Sequence, residues 1–131
     1  MKVKDFNGNI WNWPPVGYIV NFDDIRPRSQ YHLECRRLLR EIYPLDTILE
    51  EVPLPGVGLF LDFYTPHNNT AYEVNGEQHE QFNSYFYHTK ADFLRAKQND
   101  SRKAEWCQLN NIKLKVLNYK DIENWQDIIN G

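Results

Sequence analysis

Cysteine is scarce in this chain, with only Cys35 and Cys107 among its 131 residues. The two lie far apart, each inside a predicted helix, which argues against a disulfide scaffold or a zinc cluster and suits reduced, buried thiols. No apolar run approaches the roughly eighteen residues that a membrane helix needs. The opening MKVKDFNGNIWNW alternates charge with aromatics where an export signal would set a basic stretch before an apolar one. The expectation is an intracellular, cytoplasmic protein with no membrane partner. Compact length and a lack of accessory domains would suit a phage-encoded or mobile-element protein acting in a host cytoplasm. Net positive charge is also missing, the formal total being −3.

What is present is apolar and aromatic: 41% and 15% of residues, enough for one core and too little for two. Residues 1–131 therefore read as one domain, divided into an N-terminal hairpin and extension (1–28), a core (29–119) and a C-terminal helix (120–131). Asn7-Gly8 tolerates the positive φ angles of a type I′ turn and predicts a short hairpin before Pro14-Pro15. From Ser29 to Tyr43 apolar residues recur at helical spacing, with Ser29 as N-cap and Pro44 as stop. Thr47 to Val52 is a β-branched segment bounded by Pro53, and the runs LFLDFY and AYEVNG flank a turn of Pro66 and two Asn. A long polar helix spans Thr89 to Leu109, with a break expected at Asn99. Lys113 to Tyr119 reads as a strand, with Leu114 and Val116 on one face, and a final helix from Asp121 should bury Ile122, Trp125, Ile128 and Ile129. The fold class is α/β, a mixed central sheet flanked by helices.

The chemistry concentrates between Leu59 and His79. Successive strand side chains alternate faces, so Asp62 points away from Leu59, Leu61 and Phe63, while Glu73 and Asn75 share one face of the next strand. If the register sets Asp62 opposite or diagonal to Glu73, two carboxylates meet on one face. At about 4 Å and an effective dielectric near 20 they would repel by roughly 4 kcal/mol. A hard cation such as Mg²⁺ or Mn²⁺ removes that cost, because it takes one or two carboxylates and completes its shell with water and phosphate oxygens. The alternative is that both acids decorate a solvated sheet. Phe60 and Tyr64 on the same face speak against it.

The small net charge hides a segregation. Arg26, Arg28, Arg36, Arg37 and Arg40 cluster in one segment and Lys90, Arg95, Lys97, Arg102 and Lys103 in another, while Asp62, Glu73, Glu77 and Glu80 surround the acidic hairpin. Any single basic run is more often a solvated helix face, but two of them flanking an acidic hairpin are less easily explained that way, and a bound divalent ion would offset part of the negative charge between them.

Helix, three strands carrying D and then E-x-[KND], then helix and strand, resembles the core of the PD-(D/E)XK nuclease superfamily. EVNGEQH after an LDF-type strand, with NDSRKAEWCQLNNIKLKVLNY behind it, is most similar to the branch related to very-short-patch-repair endonucleases. The resemblance covers roughly Ser29 to Tyr119 and implies a restriction-endonuclease-like core, DNA as partner and Mg²⁺ or Mn²⁺ as cofactor. It implies that Asp62 and Glu73 are metal-binding carboxylates, with the Val74 carbonyl as a further ligand. Asn75 stands where the superfamily places a lysine. An amide donates a hydrogen bond but brings no positive charge, so Lys103, or failing it Arg102 or Lys97, is the expected substitute. Glu34 matches an acid often found on the first helix, the alternative being an ion pair with Arg37 or Arg26. Gln78 and His79 follow the active strand and could reach the scissile phosphate, His79 as acid or base. Arg36, Arg37, Arg40, Arg95, Lys97 and Arg102 are the expected backbone contacts. Trp11, Trp13 and Tyr85 could stack on bases, fill the core or, on the first hairpin, dock a second copy or a partner protein. The competing reading is a degenerate nuclease fold that binds nucleic acid or protein without cutting.

Overall fold

The computed structural model describes residues 1–14, 28–76 and 89–131. Arg26, Gln78, His79 and Tyr85 lie outside the described residues. Strands β1 (Lys2–Lys4) and β2 (Ile10–Asn12) form an antiparallel hairpin. Its turn is not type I′, since of the Asn7-Gly8 pair only Gly8 takes a positive φ, at 85°. Asp5 organises a wider loop instead: its carboxylate accepts from the Asn7 and Asn9 N–H groups and from Trp11 Nε1. These bonds, opposed by partial desolvation, hold its pKa below the ordinary carboxylate value.

Helix α1 (Gln30–Ile42) starts where expected, with Ser29 Oγ accepting the His32 N–H. The main sheet runs β3 (Leu49–Leu54), β4 (Leu59–Thr65), β5 (Thr70–Asn75), β6 (Lys113–Asn118) in that spatial order. The first two pairings are antiparallel and β5–β6 is parallel, joined across helix α2 (Lys90–Leu109). The sheet is thus mixed, as the sequence predicts. β3 continues through Pro53, which an edge strand tolerates because one side of it needs no donor. Between β4 and β5 a 3₁₀ turn at Pro66–Asn68 closes on Asn69 at φ 50°. Helix α2 is unbroken through Asn99, contrary to expectation. A 3₁₀ segment at Tyr119–Asn124 leads into α3 (Trp125–Asn130). Trp125 and Ile129 are buried, but Ile122 and Val116 are exposed.

The helices take opposite faces of the sheet. Cys35 and Leu39 of α1 pack with Phe63, Tyr72 and Trp125; Trp106 and Cys107 of α2 pack with Tyr64, Ala71 and Trp13. The hairpin belongs to that second core, since Val3 and Trp13 are each 1% exposed. Trp13 is therefore unavailable for base stacking or docking; Trp11 remains partly exposed. Both cysteines are buried and unpaired, and burial, with nearby carboxylates, pushes their thiols up, Cys107 to about 12. Among the described residues no helix is long and apolar enough to cross a membrane.

Candidate active site

The β4–β5 ladder pairs Thr65 with Thr70, Tyr64 with Ala71 and Phe63 with Tyr72. One rung further, where pairing stops, Asp62 stands across from Glu73. On the other side of β4 the ladder joins Glu50 to Phe63 and Val52 to Leu61 but skips the rung between them, where Glu51 takes φ 52°. A positive φ at a non-glycine residue inside a strand is strained, by about 1–3 kcal/mol. Asp62 thus sits where the sheet is interrupted on both sides. Its Oδ2 accepts the Val74 N–H at 2.8 Å, which fixes the carboxylate as the strands part.

Two clefts meet at this point. The smaller, about 230 Å³, is lined by Ser29, His32, Asp62, Glu73, Val74, Gly76, Asp100 and Lys103. The larger, about 410 Å³, is lined by Glu51, Gly58, Leu59, Phe60, Asp62, Asn99 and Lys103. Asp62 and Lys103 belong to both.

Glu73 is 9% exposed. Lys103 Nζ stands 3.1 Å from its Oε1 as an ion pair, off the angle of a hydrogen bond, so this buried oxygen has no aligned donor among the described residues. Burial, then the charge of Asp62, drives the Glu73 pKa well above its ordinary value, and Lys103 offsets this only in part. Burial alone would lower the Lys103 pKa, but Glu73, Asp62 and Asp100 outweigh it and raise it. Among the described residues one ammonium thus acts on Asp62, Glu73 and Asp100, beside a buried Glu73 oxygen with no aligned donor. No three described His, Cys, Asp or Glu side chains form a ready-made metal cage. Two carboxylates with room for water and phosphate oxygens are nevertheless the set Mg²⁺ accepts. The residues fit a divalent ion.

Several expected site residues are elsewhere. Glu34 bonds Arg37 on the outer flank of α1, one turn away, so the ion-pair alternative prevails. Asn75 pairs with Asn118 in the β5–β6 register and lines neither cleft. Arg36 is 6% exposed and donates to both oxygens of Glu50 at 2.8 and 3.0 Å, so it cannot track a nucleic-acid backbone. Arg37, Arg40, Arg95 and Arg102 are exposed and Lys97 half-buried. Arg37 also meets Glu41, Arg95 meets Asp92, and Arg102 and Lys97 lie over the rings of Phe6 and Phe93.

Two residues at the clefts were not anticipated. His32 lines the smaller one, its Nε2 bonded to Glu50 and its ring on Phe63 at 4.7 Å. Glu51 lines the larger one, ion-paired with Arg28. The four-residue spacing of His32 and Arg36 places both on one side of a helix, a signal that the sequence does carry.

Compared with known proteins, the chain matches no family model, no curated protein and no solved structure.

Proposed function

We propose that this chain is a divalent-metal-dependent endonuclease that hydrolyses DNA phosphodiester bonds, built on a restriction-endonuclease-like core of the PD-(D/E)XK kind. The observation that carries the reading is the meeting of Asp62, Glu73 and Lys103 in one cleft. Asp62 and Glu73 would hold the ion. When bound there, Mg²⁺ or Mn²⁺ supplies Lewis-acid polarisation of a phosphoryl oxygen and a more acidic water. The Val74 N–H keeps Asp62 in place. Lys103 provides the positive charge that Asn75 lacks, from α2 instead of β5, and stabilises the charge developing on the phosphoryl oxygens. The larger cleft gives a nucleotide beside the scissile phosphate room to lie, with the exposed ring of Phe60 on the same strand face as Asp62.

The test is cleavage of supercoiled, single-stranded and branched DNA with Mg²⁺ or Mn²⁺. Cutting by the wild type that EDTA abolishes, and that Lys103→Ala lowers by about 10²-fold or more, is the expected result. A wild type that binds these DNAs but cuts none would favour a non-catalytic binding module, the reading that Asn75 supports.

Binding is expected to weaken steeply with salt, because the contacts of Arg40, Arg95, Lys97 and Arg102 are electrostatic. Fluorescence anisotropy across a salt series should give a linear log–log plot. Replacing Arg95, Lys97 and Arg102 with alanine should reduce its slope by roughly one per residue. An unchanged slope would remove these residues from the interface.

A further inference from the structure

We propose that His32 is a catalytic general acid, held by Glu50, that protonates the sugar oxygen leaving the scissile phosphate; this deepens the nuclease reading and rests on it. The cleft has two walls because the helices flank opposite faces of the sheet. Lys103 and Asp100 reach it from α2, and Ser29 and His32 reach it from α1. Attacking and leaving oxygens at phosphorus stand roughly in line, on opposite sides. With Asp62, Glu73 and Lys103 placed on the attacking side, His32 is, among the described residues lining the cleft, the group on the facing wall that can act as an acid near neutral pH.

Its surroundings are built for that task. Nε2 bonds Glu50, whose carboxylate also receives both Arg36 bonds, and the ring lies on Phe63. Burial acts to raise the Glu50 pKa, but His32 and Arg36 outweigh it, so Glu50 stays ionised. A carboxylate fixed behind one ring nitrogen sets the tautomer and leaves Nδ1 for chemistry. Among the described residues, the charged groups that share the cleft or the Glu50 carboxylate with the imidazole are Arg36 on α1, Glu50 on β3, Asp62 and Glu73 on β4 and β5, and Asp100 and Lys103 on α2. In the step, the water oxygen bonds to phosphorus and the bond from phosphorus to the leaving sugar oxygen breaks, its electron pair staying on that oxygen. The Nδ1 proton of the imidazolium moves to it, leaving neutral imidazole with Nε2–H on Glu50. The proton shed by the water passes to solvent, which later recharges His32.

The experiment compares a normal substrate with one whose leaving oxygen is replaced by sulfur, a leaving group that needs no proton. His32→Gln should slow the oxygen substrate by about 10²-fold or more and the sulfur substrate by less than about fivefold, the difference being the proton transfer itself. Lys103→Ala should slow both alike. Equal losses for His32→Gln on both substrates, or none on either, overturn the assignment while leaving the nuclease reading intact. A wild type inert on the oxygen substrate with either metal overturns both. A readout that needs no metal is the ¹⁵N spectrum of the histidine rings in the metal-free protein. The neutral form of His32 should carry its proton on Nε2, and an Nδ1–H tautomer would exclude the role.

Discussion

Asp62→Asn is expected to lower metal-dependent cleavage by at least about 10³-fold, since on the proposed reading it removes one of the two carboxylates that would hold the ion and forfeits several kcal/mol of transition-state stabilisation. The same substitution should make the metal-free protein more stable at neutral pH, by about 1 kcal/mol, the usual scale where function imposes strain. The asparagine oxygen can still accept the Val74 N–H, so the local backbone keeps its tie, while the charge that acts on buried Glu73 disappears. Because Glu73 has a raised pKa in the folded state, its own contribution to the stability of the metal-free wild type is fully present below the unfolded value near 4.5 and is lost as pH rises through the folded value. Lys103, also raised, contributes a constant gain until pH exceeds 10.5. Glu50 has a lowered pKa, so its contribution is lost only as pH falls below about 4.5. Among the described residues, Glu73 is the group whose shift bears on the slope between pH 5 and 8. Urea melts in EDTA at these two pH values should show wild type weaker at pH 8, with a smaller difference in Asp62→Asn. Added Mg²⁺ should stabilise wild type more at pH 8 than at pH 5. A variant that cuts normally, or one with the wild-type slope, would separate Asp62 from Glu73.

Much of this architecture is legible in the sequence because it rests on local rules. The Ser29 cap, the helix stop before Pro44, the Pro66 turn and the alternation of LFLDFY and AYEVNG each follow from neighbouring residues, and together they set Asp62 across from Glu73. The arrival of Lys103 beside Glu73 is also foreseeable, since a helix after the acidic strand can return a lysine to it. What local rules miss is the consequence of packing. Arg36 sits in a basic run and suggests a solvated face, yet it is buried because the β3 edge delivers Glu50 to it. His32 looks unremarkable for the same reason: its partner Glu50 is eighteen residues away in sequence and becomes a neighbour only in the folded chain. Glu34 fails as a site residue because Arg37 lies within reach on the exposed flank of the same helix. The strained Glu51, which frees the outer side of Asp62, has no sequence signature, being neither glycine nor asparagine.

Trp13→Ala should be strongly destabilising although it lies outside the clefts, costing about 3–5 kcal/mol. In a chain of this length, about 3–4 °C of melting temperature per kcal/mol places the expected drop at roughly 9–20 °C. The indole is 1% exposed, packs on Tyr64 at 4.4 Å and Trp106 at 5.1 Å, and donates its Nε1–H to the Pro53 carbonyl at 2.8 Å. It therefore ties the hairpin to edge strand β3 and to α2 at once. Trp13→Phe retains most of the packing but leaves the Pro53 carbonyl without its donor, a loss of about 1 kcal/mol. Trp11→Ala removes a partly exposed ring whose Nε1–H merely completes the Asp5 loop, and should also stay near 1 kcal/mol. Thermal melts of the three variants would rank Trp13→Ala far below the others if the hairpin is part of the core. Equal melting temperatures would mean that residues 1–14 are an appendage. The functional consequence runs through Trp106, one helical turn from Lys103 on α2. Loosening the Trp13 seat should weaken the packing that holds α2 against the sheet, so cleavage by Trp13→Ala should fail on warming well before that of the wild type, while Asp62→Asn remains inactive at every temperature at which it is folded.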